Sequence, residues 1–244
     1  GIAASLIIWC SASLRANNNA SKVVLRESFS AQHRGQLTEK LRAITGWSDL
    51  EFDSNGTLQL GRAAADYGSQ GARELLAKAV SGSNVIVLED ASRRADVIFC
   101  QVVPGRWIKD GAKKPPAHVL LIDFKDFNQL FGDRAARDAF NVGWGVLHEL
   151  DHVVNDSPDA RSLGSAGECE DHINAMRREL DLPERVEYFF RLLPHSGQET
   201  FKSRFVRLAF ERRMGSTKKK RYWLVWDATV VGGILEPTQI ASVR

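Results

Sequence analysis

Residues 133–154 read DRAARDAFNVGWGVLHELDHVV, and the apolar residues in this stretch recur at the spacing of an α-helix. The positions on the apolar face are Phe140, Trp144, Leu147, Leu150 and Val154. Asp133 or Asp138 can stand at the start, because a negative charge is favourable at a helix N-terminus. The pattern therefore predicts one helix across this range, buried along its length.

The second half of this helix carries an HExxH motif, His148-Glu149-Leu150-Asp151-His152. Residues four apart lie on one face of a helix, so both imidazoles can reach one metal ion. Two neutral imidazoles are half of a tetrahedral zinc site, and Glu149 lies about 100° from His148 around the helix. The aliphatic neighbours argue against a solvated surface helix. The motif predicts bound Zn²⁺, with His148 and His152 as ligands and Glu149 as the general base.

On this motif the chain resembles the zincin superfamily of zinc metallopeptidases, chiefly over residues 119–180. The resemblance implies that the HExxH helix packs beside a sheet and that the protein hydrolyses a peptide or protein substrate. Asp151 departs from the family pattern, in which this position is usually uncharged, and is either a residue that supports a ligand or a sign of divergence. The metzincin subclass is excluded, because it has a histidine where this chain has Pro158.

A third protein ligand must come from the residues after His152. The chain is similar to the gluzincins, which take this ligand from a glutamate on a following helix, and this similarity points to Glu170. It also implies that Asn174, four residues later, bonds a ligand histidine. Glu168 is expected to close a capping box that begins at Ser165. Because zinc accepts nitrogen and oxygen ligands, four alternatives stay open: Glu168, Asp156, Asp159 and His172.

Composition places the chain among soluble globular domains. Its 244 residues are 43% apolar and 26% charged, which fits a single domain over residues 21–244. A formal net charge of +3 is too small to predict nucleic-acid binding, and no segment is long enough for a stable membrane span. Three cysteines without CxxC spacing predict no disulfide framework. Residues 1–20 are a flexible segment or the remnant of a signal peptide, which leaves export and a cytoplasmic location both open.

The rest of the chain predicts an α+β fold. Three β-branched runs predict strands at 85–88, 97–103 and 119–123. Turn residues predict a small hairpin over 50–60 and a long C-terminal β-hairpin of residues 205–212 and 222–231. Helical spacing predicts further helices at 34–45, 75–80, 165–180 and 184–193. With the resemblance, the expected fold is zincin-like: a mixed sheet packed on the HExxH helix, followed by the hairpin.

Two other functions remain compatible with the motif. One is a zinc-binding module without turnover, and the other is a secreted effector or toxin protease with one narrow substrate. Residues 177–185 are faintly similar to a segment of secreted bacterial effector and toxin metallopeptidases, but a charged, solvated helix face is the simpler interpretation. Candidates for stabilising an oxyanion, by position only, are Tyr188, His172 and His195. The basic run at 218–221 is interpreted as solvated charge at a hairpin end.

Overall fold

The computed structural model describes residues 21–62, 66–105, 117–192, 204–215 and 218–232. The helices are α1 (Ala31–Thr45), α2 (Gln70–Ser81), α3 (Phe124–Asn128), α4 (Arg134–Ala139), α5 (Val142–Asn155) and α6 (Glu168–Glu179). The strands are β1 (Val23–Leu25), β2 (Glu51–Phe52), β3 (Leu58–Gln59), β4 (Val85–Asp90), β5 (Cys100–Pro104), β6 (Ala117–Ile122), β7 (Phe131–Gly132), β8 (Glu184–Arg185), β9 (Arg191–Leu192), β10 (Phe205–Met214) and β11 (Lys218–Asp227). Residues 1–20 and His195 lie outside the described residues.

The first sheet is mixed, with strand order β1-β4-β6-β5. β1, β4 and β6 are parallel, and β5 pairs antiparallel with β6 at one edge. The three predicted central strands are therefore confirmed. β5 begins at Cys100 instead of Val97, because Phe99 has a φ of 61° and a strand cannot continue through that conformation.

Helix α5 is the centre of the fold and carries the HExxH motif. It contacts α1, α2 and α6 and lies against strands β5 and β6. Trp144, Leu147 and Leu150 are buried on its apolar faces. The predicted packing of a buried helix beside a mixed sheet is thus observed.

The prediction of one unbroken helix over 133–154 is wrong, because the chain breaks between α4 and α5. Phe140 is extended (φ −142°, ψ 97°), and the side chain of Asn141 caps α5 by accepting a hydrogen bond from the Gly143 amide at 3.0 Å. Asparagine is a strong N-cap residue, so Asn141 starts a new helix at this point. Asp133 does stand before α4, but its carboxylate accepts a hydrogen bond from the Trp223 amide instead of capping.

The predicted N-terminal helix and the predicted hairpin after it are both confirmed, with small changes in their boundaries. α1 begins at Ala31, earlier than expected, because Ser30 accepts a hydrogen bond from the His33 amide and caps the helix. It ends at Gly46 in the left-handed conformation, as predicted. β2 and β3 form the expected hairpin.

The C-terminal hairpin is confirmed as β10 and β11, which form the middle of a second sheet. The predicted helix over 184–193 is wrong, because its backbone pairs with β10 on both sides of a loop. Phe210 pairs with Arg185, and Val206 pairs with Leu192. Residues 186–190 form the loop between β8 and β9. Within the described ranges, no helix combines the length and apolar character needed to cross a membrane.

Candidate metal centre

The loop after α5 turns the chain back over the HExxH motif. Asp156 ends the helix in the left-handed conformation (φ 55°), and the chain then runs to a bridge between Asp159 and Gly167. A side chain at Gly167 would lie 2.3 Å from the Ala160 nitrogen, so the close approach requires glycine. α6 begins after Gly167 without a side-chain cap, which makes the predicted capping box from Ser165 to Glu168 wrong. The bridge between Asp159 and Gly167 thus holds Asp159 next to the histidines of α5.

Asp159 reaches both histidines of the motif. Its Oδ1 atom lies 3.1 Å from His148 Nε2 and 3.5 Å from His152 Nε2. The two imidazole rings are edge to face, with centroids 4.8 Å apart. Together with the Cys169 thiol, these side chains form a group whose potential ligand atoms all lie within 4.8 Å of one another. This group can hold a metal ion, and we call three of its members, His148, His152 and Asp159, the His–His–Asp cluster.

The other nitrogen of each imidazole has a partner of its own. His152 Nδ1 donates to the carbonyl oxygen of Ser157 at 2.6 Å, and His148 Nδ1 lies 3.3 Å from Glu170 Oε2. Such partners fix the tautomer and the ring orientation of a metal-ligating histidine. In this arrangement Nε2 is the atom of each imidazole that faces Asp159.

The expectation that Glu170 supplies the third ligand is not met by the geometry. Glu170 is 1% exposed and forms ion pairs with Arg177 and, at 3.0 Å, with Arg185. Burial alone would raise the pKa of Glu170, but the attraction of the two guanidinium groups lowers it well below its ordinary value. Glu170 lies on the Nδ1 side of His148, away from the Nε2 atoms, and supports that ring instead of joining the cluster.

Asn174 does not have the role that the resemblance implied. Its Oδ1 atom accepts hydrogen bonds from Arg177 and from the Arg185 amide, and its Nδ2 donates to the Arg185 carbonyl. The amide therefore joins α6 to β8 rather than bonding a ligand histidine. The interpretation of residues 177–185 as a solvated face is also wrong for Arg177, whose side chain is 2% exposed.

The remaining alternative ligands lie outside the cluster. Glu168 is exposed in the first turn of α6, and Asp156 is exposed at the end of α5. His172 donates from Nδ1 to Asp151 Oδ2 at 2.9 Å if that nitrogen carries the proton. Asp151 is fully buried and also accepts hydrogen bonds from Asn155 and from the Ser157 hydroxyl. It thus holds Ser157, whose carbonyl oxygen orients His152.

Glu149 faces a cleft that also contains His152 and Asp159. The cleft measures about 610 Å³ and is bordered by β5. Glu149 Oε2 accepts a hydrogen bond from the Val102 amide at 2.8 Å. Burial raises the pKa of Glu149, although both histidines and the Val102 amide oppose this effect. A carboxylate with a raised pKa beside three potential ligands is what a general base in hydrolysis requires.

Two further side chains touch the cluster. The Tyr188 hydroxyl donates to Asp159 Oδ2 at 2.8 Å, and its ring is stacked on His148 with centroids 6.1 Å apart. Burial would raise the pKa of Asp159, but hydrogen bonds from His148 and Tyr188 lower it below its usual value. Cys169 Sγ lies 3.4 Å from His148 Nδ1, on the side opposite the cleft, and burial raises the pKa of this thiol to about 12.

Comparison with known proteins gives no match: no protein-family model, curated protein or solved structure is significantly similar to this chain. The arrangement of the chain's own residues is therefore the basis on which a function can be assigned.

Proposed function

We propose that this chain is a zinc-dependent peptidase in which His148, His152 and Asp159 hold the metal ion and Glu149 is the general base. The observation that carries the proposal is the position of Asp159 Oδ1, within 3.5 Å of the Nε2 atoms of both motif histidines. Two imidazoles and one carboxylate with an open side are the usual protein ligands of a catalytic zinc.

The donor chemistry of the cluster fits a divalent cation. Both imidazoles have their Nδ1 atoms engaged, by Ser157 and by Glu170, so a metal ion would bind each ring at Nε2 in place of a hydrogen. Asp159 has a lowered pKa and is ionised at neutral pH. Zinc is preferred over calcium or magnesium, because those ions take mainly oxygen ligands.

Glu149 and Tyr188 have separate roles in the proposed hydrolysis. When bound, zinc supplies a Lewis acid that polarises a substrate carbonyl and lowers the pKa of water toward neutrality. Glu149 accepts the proton of the attacking water and delivers it to the leaving amine. Tyr188 donates to Asp159 Oδ2, so that the other carboxylate oxygen, Oδ1, is directed at the two histidines.

The surroundings of the cluster support a peptide as the substrate. The HExxH helix lies beside a mixed sheet whose antiparallel edge strand, β5, borders the same cleft as Glu149. An edge strand can pair with an extended chain through main-chain hydrogen bonds, which suits a peptide better than a small ester or amide. This arrangement favours a zincin-like fold for the domain.

Metal content tests the ligand assignment. Wild-type protein, Asp159→Asn and Asp156→Asn should be dialysed against a weak chelator and analysed by mass spectrometry. We expect about one zinc per chain in the wild type and in Asp156→Asn, and loss of zinc in Asp159→Asn. Asp156→Asn is the matched control, because asparagine tolerates the left-handed conformation of that position. A folded wild-type protein that binds no metal would refute the proposal.

Hydrolysis separates an enzyme from a zinc-binding module. Glu149→Gln should keep the zinc and lose cleavage of a degenerate peptide mixture, because the amide cannot take a proton. Wild-type and Glu149→Gln proteins that bind zinc equally and leave every peptide intact would indicate a module without turnover, or a protease restricted to one folded substrate.

A further inference from the structure

An enclosed cavity opens beside the His–His–Asp cluster. It has a volume of about 230 Å³ and is bordered by His148 and Glu149 of α5. The cavity adjoins the metal cleft, because four residues line both spaces: Ile98, Cys100, Glu149 and Tyr188. A peptide that crosses the cleft can therefore place one side chain into the cavity.

Aromatic side chains are the largest group in the cavity wall. The Phe, Tyr and Trp rings that line it are Phe99, Phe140, Trp144, Tyr188, Phe189, Phe190 and Trp226. The ring of Trp226 packs edge to face against Phe99 and Phe190, with both pairs of centroids 5.4 Å apart. Rings that pack on one another in this way hold the cavity open before a ligand arrives.

The charged residues in the wall already have partners. Glu170 forms ion pairs with both Arg177 and Arg185. The Arg177 guanidinium also donates to the Ala139 carbonyl oxygen, and the Arg185 guanidinium donates to the carbonyl oxygens of Glu187 and Tyr188. The Arg185 guanidinium lies 4.8 Å from the Tyr188 ring centroid. Among the described residues, the buried side-chain nitrogen and oxygen atoms without a partner belong to Arg34 and Arg207, and neither residue lines the cavity. A charged substrate group would lose its hydration here without gaining a partner, which is costly.

From this wall we infer that the cavity is a specificity subsite for one bulky apolar side chain of the substrate, with a preference for aromatic residues. The inference rests on the proposed peptidase function. A cavity of about 230 Å³ has room for one large side chain. Burial of that apolar surface would contribute to binding and would place the scissile bond beside Glu149.

Cleavage profiling with cavity variants tests the inference. The wild-type protein should cut a degenerate peptide mixture with Phe, Leu or Met at one fixed position relative to the scissile bond, as read by mass spectrometry. Leu208 lines the cavity from β10, so Leu208→Phe should fill it and shift the preference toward smaller side chains. Leu208→Ala should enlarge it and favour Trp. The two variants are matched controls, because their effects on selectivity should have opposite signs.

Binding gives a readout that does not depend on turnover. The zinc-loaded wild-type protein should be titrated calorimetrically with the hydroxamates of phenylalanine, leucine, alanine and aspartate, which share one chelating group. We expect the phenylalanine and leucine compounds to bind about tenfold or more tightly than the other two. Ile98 lies at the exposed rim of the cavity and provides a second test in case the Leu208 variants do not fold. Ile98→Asp should reduce the difference in affinity between the apolar hydroxamates and the other two.

The outcomes separate the subsite from the peptidase proposal. Equal affinity for all four hydroxamates, or a cleavage profile that Leu208→Phe and Leu208→Ala leave unchanged, would overturn the subsite and leave the zinc site standing. Preference for aspartate would also overturn it. Absence of both zinc and hydroxamate binding would remove the peptidase proposal and the subsite together.

Discussion

His152 donates its Nδ1 hydrogen to the carbonyl oxygen of Ser157, five residues farther along the chain, over 2.6 Å. The Ser157 hydroxyl in turn donates to Asp151, which also accepts from His172 on α6. One turn of α5, the loop after it and α6 are thus joined through a single buried carboxylate. The orientation of His152, which we propose as a metal ligand, depends on groups that do not line the cleft.

Replacement of Asp151 should weaken metal binding without removing a ligand. In Asp151→Ala the Ser157 hydroxyl and His172 lose their shared acceptor, so the Ser157 carbonyl no longer holds His152 in one orientation. Partners of this kind typically change metal affinity by about 10- to 100-fold. A chelator competition titration on folded protein measures the change. Asp171→Ala, on the exposed side of α6, is the control, and equal affinities for the two variants would contradict the prediction.

Replacement of Arg177 should destabilise the protein far more than replacement of its neighbour. Arg177 pairs with Glu170, and both side chains are at most 2% exposed. Arg177→Leu removes the buried guanidinium and leaves the Glu170 charge with Arg185 and His148, which should lower the free energy of unfolding by about 3 kcal/mol. Arg178→Leu removes a surface pair with Glu184 and should cost at most about 1 kcal/mol. Urea unfolding gives both values, and similar losses would argue against the buried pair.

Removal of the Tyr188 hydroxyl should weaken zinc binding. Tyr188→Phe keeps the ring beside His148 and removes the donor to Asp159 Oδ2. We expect zinc affinity to fall about tenfold, because Asp159 is then free to turn away from the histidines. Competition with a fluorescent chelator measures the affinity. Tyr222→Phe removes a hydroxyl from a buried ring on β11 and should leave zinc binding unchanged.

Asp126 should make the metal-free protein less stable as the pH rises through the weakly acidic range. Burial raises the pKa of Asp126 to about 6 from an ordinary value of 3.8, and the nearby Asp123 adds to the effect. Between these values the folded state holds a proton that the unfolded chain has released, so stability falls as pH increases. Ionisation of this group should cost about 3 kcal/mol in total.

The variant Asp126→Asn isolates that effect. Its free energy of unfolding should rise relative to the wild type by about 2 kcal/mol between pH 4 and pH 7. Urea titrations at several pH values measure this difference, with the exposed Asp138→Asn as the control for loss of a surface carboxylate. Parallel stability curves for wild type and Asp126→Asn would show that the buried carboxyl does not titrate in this range.

The elements predicted correctly are those whose pattern is local. The spacing of apolar residues locates α5, and β-branched runs between turn residues locate β4, β5, β6 and the C-terminal hairpin. The break at Asn141 had a local signal as well, since asparagine is a preferred N-cap residue. Apolar periodicity alone masks such a cap, because Phe140 keeps its place in the helical spacing although its backbone is extended.

The position of Asp159 beside the two histidines depends on tertiary contacts that cannot be predicted from the sequence alone. Glu170 fits the spacing of a ligand, but Arg177 and Arg185 neutralise it, and Arg185 reaches it only because β8 pairs with β10. Asp159 becomes a neighbour of His148 because Asp156 adopts a left-handed turn and Gly167 allows a close bridge. The same pairing with β10 turned a predicted helix into the loop that carries Tyr188.

The hydrogen bond from the Val102 amide to Glu149 also affects whether separate copies of this protein associate through β5. β5 is the outer strand of its sheet, and exposed outer strands tend to pair with those of other copies and aggregate. Here Glu149 engages one amide, and Pro104 at the end of β5 has no amide hydrogen to offer. A second copy would therefore find few donors along this strand, so the carboxylate assigned to hydrolysis also discourages self-association, and a bound peptide would pair with β5 mainly through the carbonyl oxygens of the strand.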